Sequence, residues 1–218
     1  MGLILFGLGS TAEVMHYHLT RAGHQIVAFT VDSDYQTADT FLDCPVVPFD
    51  HIEKAFSPAD HQMMICMGYA QVNQRRAARF AEAQRKGYTL MAYASPDAKI
   101  WDGLKLKPNC RIGDLTLIQP FATLEENVYI GSNCIIGHHS QIAEHCFLAS
   151  RVTLGGGVVI EPYAFVGTGA TLRNKVRVGA HSVIGAGAVI LEDTAPYSVH
   201  VAQPATCIPI HSKDLSPG

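Results

Sequence analysis

Counting in sixes from Ile100, every step as far as Ile190 lands on an aliphatic residue: Leu106, Ile112, Ile118, Leu124, Ile130, Ile136, Ile142, Leu148, Leu154, Ile160, Val166, Leu172, Val178 and Ile184 complete a column of sixteen. Four residues after these members runs a second column of small or modest side chains, among them Cys110, Thr116, Ala122, Cys134, Ser140, Cys146, Ala164, Ser182 and Ala188. An unbroken six-residue period of this length predicts a β-helix built from hexapeptide repeats. Glycine often follows the aliphatic position (Gly113, Gly131, Gly137, Gly155, Gly167, Gly179, Gly185), where a tight corner is expected to need permissive backbone.

Ahead of the repeats the pattern changes. GLILFGLGS reads as a buried strand entering a glycine-rich turn, TAEVMHYHLTRAG as a helix, and HQIVAFTVDSD as a second strand ending in acids. The turn Gly7-Leu8-Gly9-Ser10-Thr11-Ala12 approaches the dinucleotide fingerprint GxGxxA, with Asp32 near the distance of a ribose contact. Only about half of a doubly wound domain is expected before the repeats begin, so a mononucleotide or nucleotide sugar suits the space better than a dinucleotide. MMICMGYAQVNQRRAARFAEAQRKG continues with a strand and a basic helix, whose Arg75, Arg76, Arg79, Arg85 and Lys86 read mostly as a solvated face. The expected divisions are residues 1–92 (a small Rossmann-like βαβ domain), 93–192 (the β-helix) and 193–218 (a capping tail).

Composition narrows the partners. Hydrophobic residues make up 48% and charged residues 16% of the 218, and the formal net charge is −3, so no global attraction to nucleic acid or an anionic membrane is expected. The apolar runs are far shorter than the ~20 residues of a bilayer span, which points to a soluble cytoplasmic protein. Six cysteines occur without a CxxC pair, so neither disulfides nor a metal site is expected; Cys110, Cys134 and Cys146 read as small packing residues of the second column.

A Rossmann-like domain followed directly by hexapeptide repeats resembles the sialic acid O-acetyltransferase (NeuD) and bacillosamine-pathway acetyltransferase (PglD) family. The resemblance covers nearly the whole chain. It implies a left-handed parallel β-helix, a homotrimer, acetyl-CoA as co-substrate and a nucleotide-activated amino sugar, or a sialic acid, as acceptor. In the nucleotide domain it implies substrate contacts from Gly7, Gly9, Ser10, Thr11, Asp32, Gly68 and Tyr69; the family's glycine-glycine-histidine turn here reads Gly9-Ser10-Thr11.

The family's catalytic pattern Ile-x-His-[Glu/Asp]-x-x-Ile-Gly falls on IIGHHSQIAE, which places the general base at His138. An imidazole suits that task because its unperturbed pKa of ~6.5 leaves the neutral ring available near physiological pH; a lone outward histidine is otherwise a solvated side chain. Where the family has an acid, this chain has His139. Three readings stand: His139 itself bonds His138, Glu144 or another acid substitutes, or the nucleophile needs less help from a base, as a neutral amine would. The resemblance also makes Gly156 the donor to the thioester carbonyl and gives coenzyme contacts to Gly155, Gly156, Gly167, Gly169, Arg173, Lys175, Gly185 and Gly187. His145 and His181 read as surface or subunit-interface residues. An ending like Gly-x-Pro-Ala, here Ala202-Gln203-Pro204-Ala205, is expected to cap the β-helix and border the adenine.

The expected activity is acetyl-CoA-dependent N-acetylation of a nucleotide-linked amino sugar. O-acetylation of a sialic acid-like sugar, a noncatalytic nucleotide-sugar-binding trimer and an NAD-binding module are its rivals.

Overall fold

β1 (Gly2–Phe6) is apolar on both sides because it lies at the centre of a sheet covered on both faces. The computed structural model, which describes residues 1–207, 209 and 211–214, sets β1 between β2 (Ile26–Val31) and β5 (His61–Ile65). β3 (Thr40–Phe41), β4 (Cys44–Pro48) and β6 (Thr89–Leu90) extend the sheet to the order β3-β4-β2-β1-β5-β6, parallel except for β3. Leu3 and Leu5 pack with Met15 and Leu19 of α1 (Ser10–Arg21); Ile4 and Phe6 pack on the opposite face with Ile52 of α2 (Ile52–Ala55) and Phe80 of α3 (Gln74–Arg85).

This is more than the half-domain the sequence suggested, since five parallel strands are present. The segment CPVVP at β4 hid one of them, because proline cannot donate to a ladder. It is tolerated here: the pairing with β2 runs through Val46, Val47 and Pro48, while Pro45 faces the short antiparallel β3.

From Tyr93–Ala94 onward two-residue strands stack into three parallel sheets, the faces of a left-handed triangular β-helix. The first face holds seven strands, from Tyr93–Ala94 through Arg111–Ile112, Tyr129–Ile130, Phe147–Leu148, Phe165–Val166 and Val183–Ile184 to Val199–His200. The second runs from Lys99–Ile100 through Ile135–Ile136 and Thr153–Leu154 to Val189–Ile190; the third holds Thr123–Leu124, Gln141–Ile142, Val159–Ile160 and Arg177–Val178. From Ile112 to Ile190 the aliphatic column is buried, as is the small-residue column from Cys110 to Ala188, so together they are the core. Leu106 is only partly buried and lies outside any strand. The tail continues onto the first face with Val199–His200; its residues 208, 210 and 215–218 lie outside the described residues.

The corner glycines have a different job from the one expected. Left-handed backbone recurs every sixth residue from Asn109 to Gly187, but three positions after the aliphatic column, and mostly at non-glycine residues such as Phe121, His139, Arg151 and Tyr163. The glycines directly after the column are where one coil presses on the next: a Cβ on Gly131 would lie 2.6 Å from the Ser150 N and 2.8 Å from the Ala149 C. Backbone cannot yield as a side chain can. Gly131→Ala should therefore cost about 1–3 kcal/mol, as overpacking does, seen as a fall of several degrees in Tm by calorimetry; an unchanged Tm would show that the coils have slack.

Among the described residues no helix is long and apolar enough to cross a membrane, and no group of three or more His, Cys, Asp and Glu is placed to hold a metal ion.

Candidate active site

The corner from the second face to the third carries His138 and His139 just after the strand Ile135–Ile136. Both rings are exposed, and their Nδ1 atoms are 3.0 Å apart, a hydrogen bond in which one ring donates and the other accepts. His139 takes left-handed backbone (φ 59°), and its ring packs on Phe121 one coil earlier, centroids 4.8 Å apart. The His138 N–H is bound by the Gln119 Oε1 at 3.0 Å. Of the three readings of His139, the geometry supplies the first; Glu144 stands on the next corner, between the third and first faces.

One coil on, each of the three consecutive glycines has its own reason. Gly155 lies against the next coil, where a Cβ would meet the Asn174 Oδ1 at 2.2 Å; Gly157 has φ 71°; a Cβ on Gly156 would lie 2.5 Å from the His138 Nε2. The imidazole thus fills the space that a side chain at position 156 would take. The corresponding N–H groups of His138 and Ala180 are held by the Gln119 and Glu161 side chains, whereas among the described residues that of Gly156 has no acceptor. A donor beside a basic nitrogen is the arrangement needed to polarise a carbonyl while a proton is removed.

The other expected coenzyme residues divide between two corners. Arg173 and Lys175 stand one coil above Gly155–Gly157 on the same corner, in an open hollow that also contains Glu192 and Asp193. Gly167, Gly169, Gly185 and Gly187 lie instead on the corner between the first and second faces. A single chain does not bring those four to His138.

A cleft of about 750 Å³ opens where the strand order reverses, beside the C-terminal ends of β1, β2 and β5. Gly7, Gly9 and Asp32 line it, as expected, together with Tyr35, Met67, Gln71, Gln74, Arg75 and Arg79. Partial burial raises the Asp32 pKa, and the Arg79 Nε at 3.4 Å opposes that rise. Ser10 and Thr11 open α1, and Gly68 is exposed beside the cleft. Tyr69 turns away, its ring on Phe165 at 4.3 Å and Phe147 at 5.4 Å on the first face. Arg75 and Arg79 were legible only as an i, i+4 pair on a basic helix.

Other residues were misjudged from sequence. Arg76 is 2% exposed, not part of a solvated face, and its guanidinium is bound by carbonyl and amide oxygens of the β-helix. His145 is half-buried at the same seam, its Nδ1 2.9 Å from the Asn127 Nδ2; burial and then the nearby Arg76 lower its pKa to about 4. His181, by contrast, is partly exposed, in keeping with a surface position, and is stacked between Tyr163 and Tyr197, centroids 4.6 and 4.7 Å away.

Comparison with curated protein sequences finds no match. The family description of bacterial transferase hexapeptide repeats (six repeats) matches residues 121–156 and 157–192. Among solved structures, a mutant of perosamine N-acetyltransferase from Caulobacter crescentus, in complex with CoA and GDP-perosamine, superposes with a TM-score of 0.85 at 22% identity, over 94% of this chain and 96% of that one. The acetyltransferase domain of PglB from Neisseria gonorrhoeae gives 0.84 at 21%, over 95% and 99%; WeeI from Acinetobacter baumannii gives 0.69 at 20%, over 94% and 99%. Residues 121–192 thus match the bacterial transferase hexapeptide repeats, and the chain has the fold of the perosamine and PglB acetyltransferases across nearly its whole length.

Proposed function

We propose that the protein is an acetyl-CoA-dependent N-acetyltransferase acting on a nucleotide-linked amino sugar. The observation that carries this reading is the corner itself, where the His138 ring is tied through Nδ1 to His139 and its Nε2 lies against Gly156, whose N–H has no acceptor among the described residues. In this reading the His138 Nδ1–H donates to the neutral His139, which leaves the Nε2 lone pair as the base. That nitrogen takes the proton as the sugar amine adds to the thioester carbonyl. The Gly156 N–H steadies the oxyanion, and collapse breaks the C–S bond, with the proton passing to the departing thiolate. A neutral imidazole polarises His138 less than a carboxylate would. The pair therefore suits an amine, the better nucleophile, over a sugar hydroxyl. Complexes of the similarly folded perosamine enzyme with CoA and GDP-perosamine support the same substrate classes.

The nucleotide portion is assigned to the cleft of Gly7, Gly9 and Asp32, with Ser10, Thr11 and Gly68 at its edge. The active form in this reading is a homotrimer. The cleft-bearing domain docks on the first face of its own β-helix, from Asn127 and His145 at one corner to Asp114 at the other, where the His18 Nε2 is 3.7 Å from the Asp114 Oδ2. His138 is on the remaining corner. Beyond Lys99 on its first strand, the second face turns the uncharged Leu117, Ile135, Thr153, Thr171 and Val189 outward. Three copies with these faces around one axis set the His138 corner of each beside the corner of Gly167, Gly169, Gly185 and Gly187 in the next, and so gather the coenzyme residues that one chain separates.

Incubation with acetyl-CoA, a thiol reagent and a panel of UDP-, dTDP- and GDP-linked amino sugars tests the reading. Sugar-dependent thiol release is expected, together with a trimer mass by light scattering. Release with no member of the panel would overturn the activity, and a monomer that turns over would overturn the shared site.

A further inference from the structure

Helix α3 faces two ways. Arg75, Ala78 and Arg79 line the cleft, while Asn73, Arg76 and Phe80 face the β-helix. The Arg76 Nη1 donates to the Asn127 O and, at 2.8 Å, to the Asn127 Oδ1; its Nη2 donates to the Asn73 Oδ1 at 3.2 Å, the His145 O at 2.8 Å and the Cys146 O at 3.2 Å. Every acceptor is neutral, and among the described residues no carboxylate is paired with this guanidinium. Burying a charge against neutral oxygens is an expensive way to join two domains, and apolar side chains often serve stability as well. What a planar guanidinium supplies instead is direction.

The chain entering α3 carries a second cost at the same place. Gln71, Val72 and Asn73 take left-handed backbone in succession (φ 52°, 48° and 67°), a conformation that persists only where its surroundings over-determine it. Here Gln71 lines the cleft, and the Asn73 Nδ2 is fixed to the Tyr163 O at 2.9 Å and the Ala164 O at 3.2 Å. Asn109 completes the joint, accepting from the Ile65 N at 2.8 Å and donating to the Asn127 Oδ1 at 2.8 Å.

We infer that Arg76 is a positioning residue: through α3 it fixes the angle between the nucleotide cleft and its own β-helix and so, in the trimer, the approach of a sugar held in the cleft to the His138 corner of a neighbouring copy. The inference rests on the proposed transferase reading. It separates affinity from turnover, because neither half-site contains Arg76.

Arg76→Met and Arg76→Lys should leave the Kd values for UDP, dTDP and GDP, and for coenzyme A, within about two-fold of the parent, while kcat for acetyl transfer falls ~10-fold or more, since an ångström of misplacement is that damaging. Asn73→Gly, which relieves the positive φ and removes three hydrogen bonds, one of them to Arg76, should act in the same direction and serves if an Arg76 variant does not fold. Hydrogen exchange should rise at residues 65–73 and 109–112 but not in the β-helix core. An unchanged kcat with unchanged exchange overturns the inference, as does a nucleotide Kd that weakens in step with kcat, which would make Arg76 a mere prop for the cleft. If the parent acetylates no nucleotide sugar, the transferase reading fails by itself, and seam exchange decides whether Arg76 sets the joint.

Discussion

His138→Asn is expected to lower kcat by ~10²–10⁴, the usual worth of a general base, with Tm and subunit mass unchanged. The ring is exposed and contributes little packing, so fold and chemistry separate cleanly at this position. Asparagine has no nitrogen able to take the proton. The neighbouring histidine should matter less: His139→Ala removes one hydrogen bond that selects the tautomer and holds the ring, a loss of ~10-fold in kcat. His139→Glu puts a carboxylate in the same place. It should raise the affinity of His138 for a proton, so that the acid limb of kcat/KM moves to higher pH while the plateau rises or holds. Should His139→Ala prove the more damaging change, the proton passes through the other ring of the pair.

The β-helix was legible because its physics is periodic. Each coil repeats the same inward requirement, so the columns through Ile136 and Cys134 announce a buried core without knowledge of any neighbour. Corners were read at the right places for the wrong reason: the sequence shows that Gly131 and Gly137 lack a side chain, but only stacking reveals that the obstacle is backbone eighteen or so residues away. The seam was illegible for a related reason. Arg76 has the spacing and the basic neighbours of a solvated helix face, and its partners Asn127, His145 and Cys146 are more than fifty residues distant. Burial of an arginine against carbonyls is a property of the docked pair. The candidate site lies between these extremes, since His138 could be found from a motif, whereas its contact with Gly156 needed the eighteen-residue coil, and Gly167 and Gly185 stand on a different corner of the same chain.

That contact makes Gly156→Ala the most economical probe of the site. A Cβ there would lie 2.5 Å from the His138 Nε2, 2.6 Å from its Cε1 and 3.1 Å from its Cδ2, so either the backbone or the imidazole must move. The backbone is tied on both sides, with the Gly157 N–H donating to the His138 O at 2.8 Å and the Lys175 N–H to the Gly156 O at 2.9 Å. The ring, exposed and held by its bond to His139, is the softer part. Position 156 does not have left-handed backbone, so alanine adds no conformational strain of its own. The methyl group should therefore swing the base about an ångström from its place, lowering kcat ~10²-fold with little change in Tm. In a His138→Asn background the same substitution should cost far less, because the group it displaces is already gone; such non-additivity marks residues that act together. Equal losses in both backgrounds would mean that Gly156 works through its own N–H or through coenzyme contact, independently of His138. A Gly156→Ala protein with full kcat would remove the Nε2 from the mechanism altogether.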